Sequence, residues 1–490
     1  MIRQTRFILI LLLAASSIGA SAQSRQVSYF MNIPQNHLAN PAFKPSNSVF
    51  IGLPGMSGMS FSINNNFLKF SNIFMKGKTN DSVLTFLHPD FNVDDFLSTT
   101  KDKNSIEPQL SVPVLSVGFA AGKDGYFSLD IIDRVDGNIV LPGDLFELAL
   151  KGNEGFAGSK IDLSSLRGDM KYYREAGFGY SRKITSRLRM GIKGKFLFGV
   201  AAASIKNNAL AITVNDDYSH VINADLRVNL AAPLKVTKEA NGDIKSIEFD
   251  DSVTDSPGKA IKYALGTENL GLGIDIGATY DVSDRFKVSA ALTDVGFIRW
   301  KRDVNNLVAS NQFAFSGIDL SKVIDGTKTF DEAGNEMLDS LKNAFKVTDT
   351  NEPFTTGLPF GLTVGGSYNF TPSLSVGMLS YTRFIGKQVK EALTLSANAN
   401  IGTSFSASLS YTAVNSSYDN IGAGLAVRTG FFQFFILTDM IPFSWNKIVV
   451  DNASIPLPVS FNTINLRIGM NLVFGNRVNE EHDKPIVTVE

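Results

Sequence analysis

The chain has 490 residues, 46 Lys and Arg against 47 Asp and Glu, a net charge of −1 and no Cys. Only 19% of residues are charged, below the roughly 25% of an ordinary soluble domain, yet Phe reaches 37, Gly 41 and the mean hydropathy just +0.04. So many aromatics under so balanced a charge exclude a disordered chain and disfavour nucleic-acid binding, which needs a basic excess; the missing Cys removes disulfides, thiolate metal sites and a thiol nucleophile.

In chain order, Arg3 and Arg6 precede an apolar run from Phe7 to Ala15, and Ala20-Ser21-Ala22 follows. A basic start, a short apolar stretch and small residues before the cut predict a signal peptide over 1–22 and hence export. The run is too short to span a bilayer, which takes about 20 residues, and no later run is long enough. A membrane-spanning mature chain must therefore be a closed barrel, because open sheet edges stay unpaired in lipid. Residues 23–47, with Tyr29-Phe-Met-Asn-Ile-Pro34 and Asn40-Pro41-Ala42-Phe43, are too rich in Pro and Asn for a membrane strand.

From residue 48 to 474 the pattern turns to alternation. An opening strand falls within Val49–Ile63. Leu188, Met190, Ile192, Phe196, Phe198 and Val200 share one face against Arg189, Lys193 and Lys195 on the other. Leu270, Leu272, Ile274 and Ile276 likewise oppose Gly271, Gly273 and Asp275. Period-two segments joined by short Gly-, Ser- or Pro-bearing turns are the signature of strands facing lipid on one side and a polar lumen on the other. With the closing strand Thr463–Phe474 the count is about fourteen. The stretches Ala209–Val214 and Val221–Leu230 are either two further membrane strands, giving sixteen, or an extracellular extension of the sheet; their few Phe and Leu favour the extension. Short helices are expected at 142–150 and 336–345 outside the wall. The last strand, ending on Phe474, has the terminal aromatic read by the barrel-insertion machinery, and 475–490 would be a polar periplasmic tail. The fold class is thus an all-β transmembrane antiparallel barrel with long extracellular loops, in the outer membrane of a diderm bacterium.

An internal echo places Leu292-Thr293-Asp294 before Trp300 as Leu437-Thr438-Asp439 stands before Trp445. The plain reading makes Trp300 and Trp445 interfacial anchors of the aromatic belt. Asp294 shares parity with Phe286, Val288, Ala290 and Leu292, so unbroken alternation would aim its carboxylate at lipid, which is costly. The strand is therefore expected to kink or bulge at Asp294, and by the echo at Asp439. Glu175, Arg189, Lys193, Lys195, Asp275 and Arg467 fall on the lumen face. None of the four His residues pairs with a Ser as a hydrolase on a barrel wall would need, and no metal-ligand spacing is present, so neither enzyme nor cofactor is expected.

With Asn40-Pro41-Ala42-Phe43 just ahead of the first strand and Leu292-Thr-Asp-Val-Gly296 on a later one, the chain resembles the long-chain fatty-acid-transporter-like superfamily of outer-membrane barrels and the barrel subunits of type IX secretion. The resemblance implies fourteen strands and an N-terminal segment folded into the lumen as a hatch, centred on Asn40, Pro41, Ala42 and Phe43. It also implies passive transport of a small hydrophobic or amphipathic solute in some relatives. The alternative is a non-transporting scaffold that binds a protein partner through its outer loops or on its periplasmic side. Outer-membrane lipid is the expected surrounding in either case.

Overall fold

The computed structural model describes residues 26–68, 75–76, 83–84, 91–217, 219–238, 244–253, 255–315, 348–414, 417–441, 445–450, 453–458 and 463–476. The signal peptide expected over 1–22, the helix expected at 336–345 and most of the tail expected over 475–490 lie outside them.

Fourteen strands make the wall, numbered here in chain order: β1 Asn47–Asn65, β2 Lys103–Ala121, β3 Gly125–Pro142, β4 Arg167–Lys183, β5 Leu188–Val214, β6 Leu270–Asp281, β7 Phe286–Trp300, β8 Phe360–Asn369, β9 Leu374–Ile385, β10 Gln388–Ile401, β11 Phe405–Val414, β12 Ser417–Thr429, β13 Phe432–Thr438 and β14 Thr463–Asn476. Each pairs antiparallel with the next, and β14 returns to β1 with Phe474 opposite Val49, so the sheet closes. Closure is what lipid demands, since it leaves no edge unpaired. Turns with left-handed glycines at Gly122, Gly402 and Gly430 join strands at the end where β1 begins and β14 finishes. There a Cβ would meet nothing within 4 Å, and the glycines serve backbone conformation alone.

Alternation works as the sequence suggests along the lower wall. On β6 Leu270, Leu272, Ile274 and Ile276 are exposed to the lipid side while Gly271, Asp275 and Gly277 are buried. The upper half of β5 leaves the wall: from Ala202 onward it pairs with His220–Ala231, which pairs in turn with Val304–Phe315. Ala209–Val214 and Val221–Leu230 are thus an outward extension of the sheet, and the wall has fourteen strands, not sixteen. Among the described residues three α-helices lie in the outer connections: α1 Val93–Thr99, α2 Gly143–Lys151, where 142–150 was expected, and α3 Pro257–Ala264.

Candidate functional site

Residues 26–46 fill the lumen. Two short 3₁₀ turns, Val27–Phe30 and Pro34–Leu38, carry them, and nearly all are buried against the inner wall. The wall face they meet is made of small residues. A Cβ on Gly191 would stand 2.2 Å from the Pro41 carbonyl oxygen, and one on Gly277 2.0 Å from Asn40 Oδ1. Asn40 Nδ2 donates to the Ala278 and Ala290 carbonyls at 3.3 Å each, its Oδ1 accepts from the Ala42 amide, and Phe43 packs edge-on to Tyr29. Gln35 Nε2 donates to Asn471 Oδ1 at 2.6 Å and to Ser57 Oγ at 2.8 Å. At the other end the Val27 amide donates to Asp439 Oδ1 at 2.8 Å. Every anchor is a side chain that satisfies a buried polar group, so loss of any one leaves its partner without water to replace it.

A buried ionic network runs from this segment to the wall. His37 Nε2 lies 2.9 Å from Asp130 Oδ2, which Lys193 Nζ meets at 3.0 Å. Lys193 continues to Glu175 at 3.3 Å, and Glu175 takes Arg134 at 2.9 Å. Lys195 bridges Asp275 at 2.7 Å and Asp294 at 2.6 Å. These side chains come from five adjacent strands, β3 to β7. Buried and paired with one another, they form an ionic network behind the hatch rather than isolated charges on the lumen face.

At Asp294 the ladder breaks. Ile274 faces Val295 and Ile276 faces Leu292, so Asp275 alone opposes Thr293 and Asp294, and Asp294 takes a left-handed φ of 63°. Its amide donates to Asp275 Oδ1 at 2.6 Å. On the other side β7 pairs with β8 only as far as Thr293 and Gly361, then resumes at Phe297 with Gly357 of the separate strand Phe354–Gly357. Between them stand Leu358 and Pro359, which has no amide hydrogen; Leu358 donates to the Gly296 carbonyl at 2.9 Å. The bulge answers the parity problem: the extra residue turns Asp294 inward to its cations.

The same bulge overturns the reading of Trp300. Below it Ser289, Ala291 and Thr293 face inward; above it Ile298 and Trp300 do. Trp300 is 0% exposed, packed with Tyr173, Leu197 and Phe354, its Nε1 donating to Thr356 Oγ1 at 2.9 Å. It is a core residue, not a lipid-facing anchor. Trp445 begins a separate hairpin, Trp445–Val450 against Ala453–Pro458, outside the wall sheet. Asp439 follows the last residue of β13 without a left-handed backbone, and its carboxylate is spent on the lumen segment rather than on a kink. Arg467 is buried close enough to Asp439 to interact with it, and Arg189, half-buried, reaches Ser181 Oγ at 3.4 Å near the turn end.

Sequence reading misses a second ionic cluster. Arg383 on β9 meets Glu107 on β2 at 3.2 Å and Asp136 on β3 at 2.8 Å, and Lys390 on β10 also meets Glu107. Strands β2 and β9 are seven apart either way around a ring of fourteen, so this clasp crosses the lumen. Parity marks these residues as inward, but nothing in one sequence pairs opposite walls. Between clasp and break lies a cavity of about 10 Å³, lined by Gln26, Tyr29, Ala39, Thr293, Thr363, Leu379 and Tyr381. That is room for about one water molecule. No group of three or more His, Cys, Asp or Glu among the described residues is arranged to hold a metal ion.

No curated protein matches the chain. Among solved structures, the Ralstonia pickettii toluene transporter TbuX is similar at 11% identity and a TM-score of 0.40, covering 92% of this chain and 98% of its own. The P. putida toluene transporter TodX is similar at 10% and 0.38, covering 91% and 94%. A Pseudomonas aeruginosa FadL homologue is similar at 10% and 0.37, covering 93% and 99%. Residues 41–439, from the hatch to the end of β13, match one family over most of the chain, and the protein belongs to that family of unknown function, DUF5723.

Proposed function

We propose that the protein is a passive outer-membrane channel for a small hydrophobic or amphipathic solute, closed in this state by its N-terminal hatch. The observation that carries this reading is the coincidence of hatch and wall break: the cavity touching Tyr29 and Ala39 of the hatch also touches Thr293, next to the interrupted ladder at Asp294. A hatch held by separable polar anchors can shift without unfolding the barrel, and a wall whose ladder is interrupted offers an apolar solute a sideways exit into lipid. With the cross-lumen clasp opened by Arg383→Met, solute flux into proteoliposomes should rise when Asp439→Ala and Gln35→Ala release the hatch, and unchanged flux would remove the proposal.

One observation favours a second reading. The clasp of Glu107, Asp136, Arg383 and Lys390 closes the lumen above the hatch as well, as a scaffold binding a protein partner would tolerate and a permanently open channel would not. A stoichiometric protein co-purifying from native membranes, with no flux in any hatch variant, would establish the scaffold.

A further inference from the structure

The Asp294 bulge has a consequence on the outside of the wall. By reversing parity it turns Phe297, Arg299 and Lys301 outward, and all three are exposed. Phe297 on β7 and Leu272 on β6, opposite each other and 48% and 54% exposed, form the upper rim of the lipid-facing belt on this pair of strands, with the exposed Leu270 one outward step higher beside Arg299. Directly above that rim the outward positions of β7 change from apolar to cationic. Neither Arg299 nor Lys301 makes an ion pair among the described residues.

Helix α3 ends five residues before β6. Ser256 caps it and Pro257 starts it, both favourable at a helix N-terminus. It is fastened to the top of β7: the Arg302 guanidinium lies 4.1 Å over the Tyr263 ring, and the Tyr263 hydroxyl donates to Asp303 Oδ2 at 2.8 Å. Burial, and then this bond to Asp303, push the Tyr263 hydroxyl above its ordinary pKa, so the phenol keeps its proton at neutral pH. Arg302 also holds Glu268 at 2.9 Å, which offsets the nearby acid. Away from these contacts, Ile261 and Leu265, one helical turn apart, are 59% and 56% exposed.

We propose that this corner of the barrel is a docking surface for phosphorylated lipid of the outer leaflet, with Arg299 and Lys301 taking the phosphate and Ile261 and Leu265 entering the acyl boundary beside Leu270. Two features point to lipid as the occupant. The surface continues without a break from the lipid-facing belt, and its apolar and cationic groups stand in the order of acyl chain and headgroup. Exposed Ile and Leu on a short helix with Lys259 and Lys262 suit the interfacial plane.

The test uses full-length protein in phosphatidylcholine nanodiscs with and without lipid A. Native mass spectrometry should show lipid A retained by the wild type and lost about thirtyfold from R299Q/K301Q, as expected for two cations at a lipid surface. Both side chains are exposed, and heat-modifiable mobility verifies folding. Equal retention would overturn the proposal, as would displacement of lipid A by inorganic phosphate alone, which would mark an ion site. Because the chain has no Cys, nitroxides at I261C and L265C report position directly. Collisions with oxygen should exceed those with a water-soluble nickel chelate, and the reverse order would contradict lipid contact.

Discussion

The Asp294 amide donates to Asp275 Oδ1 at 2.6 Å while the Asp294 carboxylate takes Lys195 at 2.6 Å. Two neighbouring carboxylates thus fix one bulge from both sides, and that bulge decides which way every residue above it points. Asp294→Gly should keep the bulge, since Gly accepts a positive φ, while leaving Lys195 paired with Asp275 alone of the two carboxylates. Asp294→Val should strain it, a β-branched residue in this region costing about 1–3 kcal/mol. Thermal melts in detergent should therefore rank Val below Gly.

Trp300 reports the parity directly. In a Trp445→Phe background, brominated lipids should leave its fluorescence unquenched, because it is fully buried. Deleting Val295 takes out the extra residue without changing the side that Trp300 faces, so the shortened strand should leave Trp300 unquenched as well. Quenching of the undeleted protein would contradict the inward placement.

The glycines under the hatch should be intolerant of side chains. Gly277→Val and Gly191→Val would drive Cβ atoms into Asn40 and Pro41, and overpacking of this kind costs about 1–3 kcal/mol. Raised protease access to residues 26–46 is the expected sign of an unseated hatch. Gly194→Ala, where a Cβ meets nothing within 4 Å, should change nothing.

The clasp should matter for stability and for conductance separately. Arg383→Met leaves Glu107 and Asp136 without their buried guanidinium, and breaking a buried pair costs about 3–5 kcal/mol. Melting temperature should fall. Conductance should rise only when Arg383→Met is combined with Asp439→Ala, if hatch and clasp close the lumen in series; a rise in Arg383→Met alone would show the hatch to be leaky.

Much of the wall was legible in the sequence because period-two alternation is imposed residue by residue by lipid and lumen. β6 and β14 read cleanly, and the expected break fell on Asp294 because a carboxylate cannot face lipid. Trp300 was misread for the same reason: one extra residue at the bulge inverts everything beyond it, and local alternation does not count residues across a break. The hatch anchors Gln35, His37 and Asp130, and the clasp, were invisible because they join positions far apart in the chain. Gly191 and Gly277 resembled ordinary small barrel residues until the hatch lay against them.

The central claim is that residues 26–46 close a lumen that otherwise conducts. The most direct measurement is solute flux and single-channel conductance of the barrel lacking 26–46, with Arg383→Met to open the clasp, against the same substitution in the full chain. The account predicts stable conductance and solute flux only when the hatch is absent. Equal, closed behaviour in both barrels would contradict it.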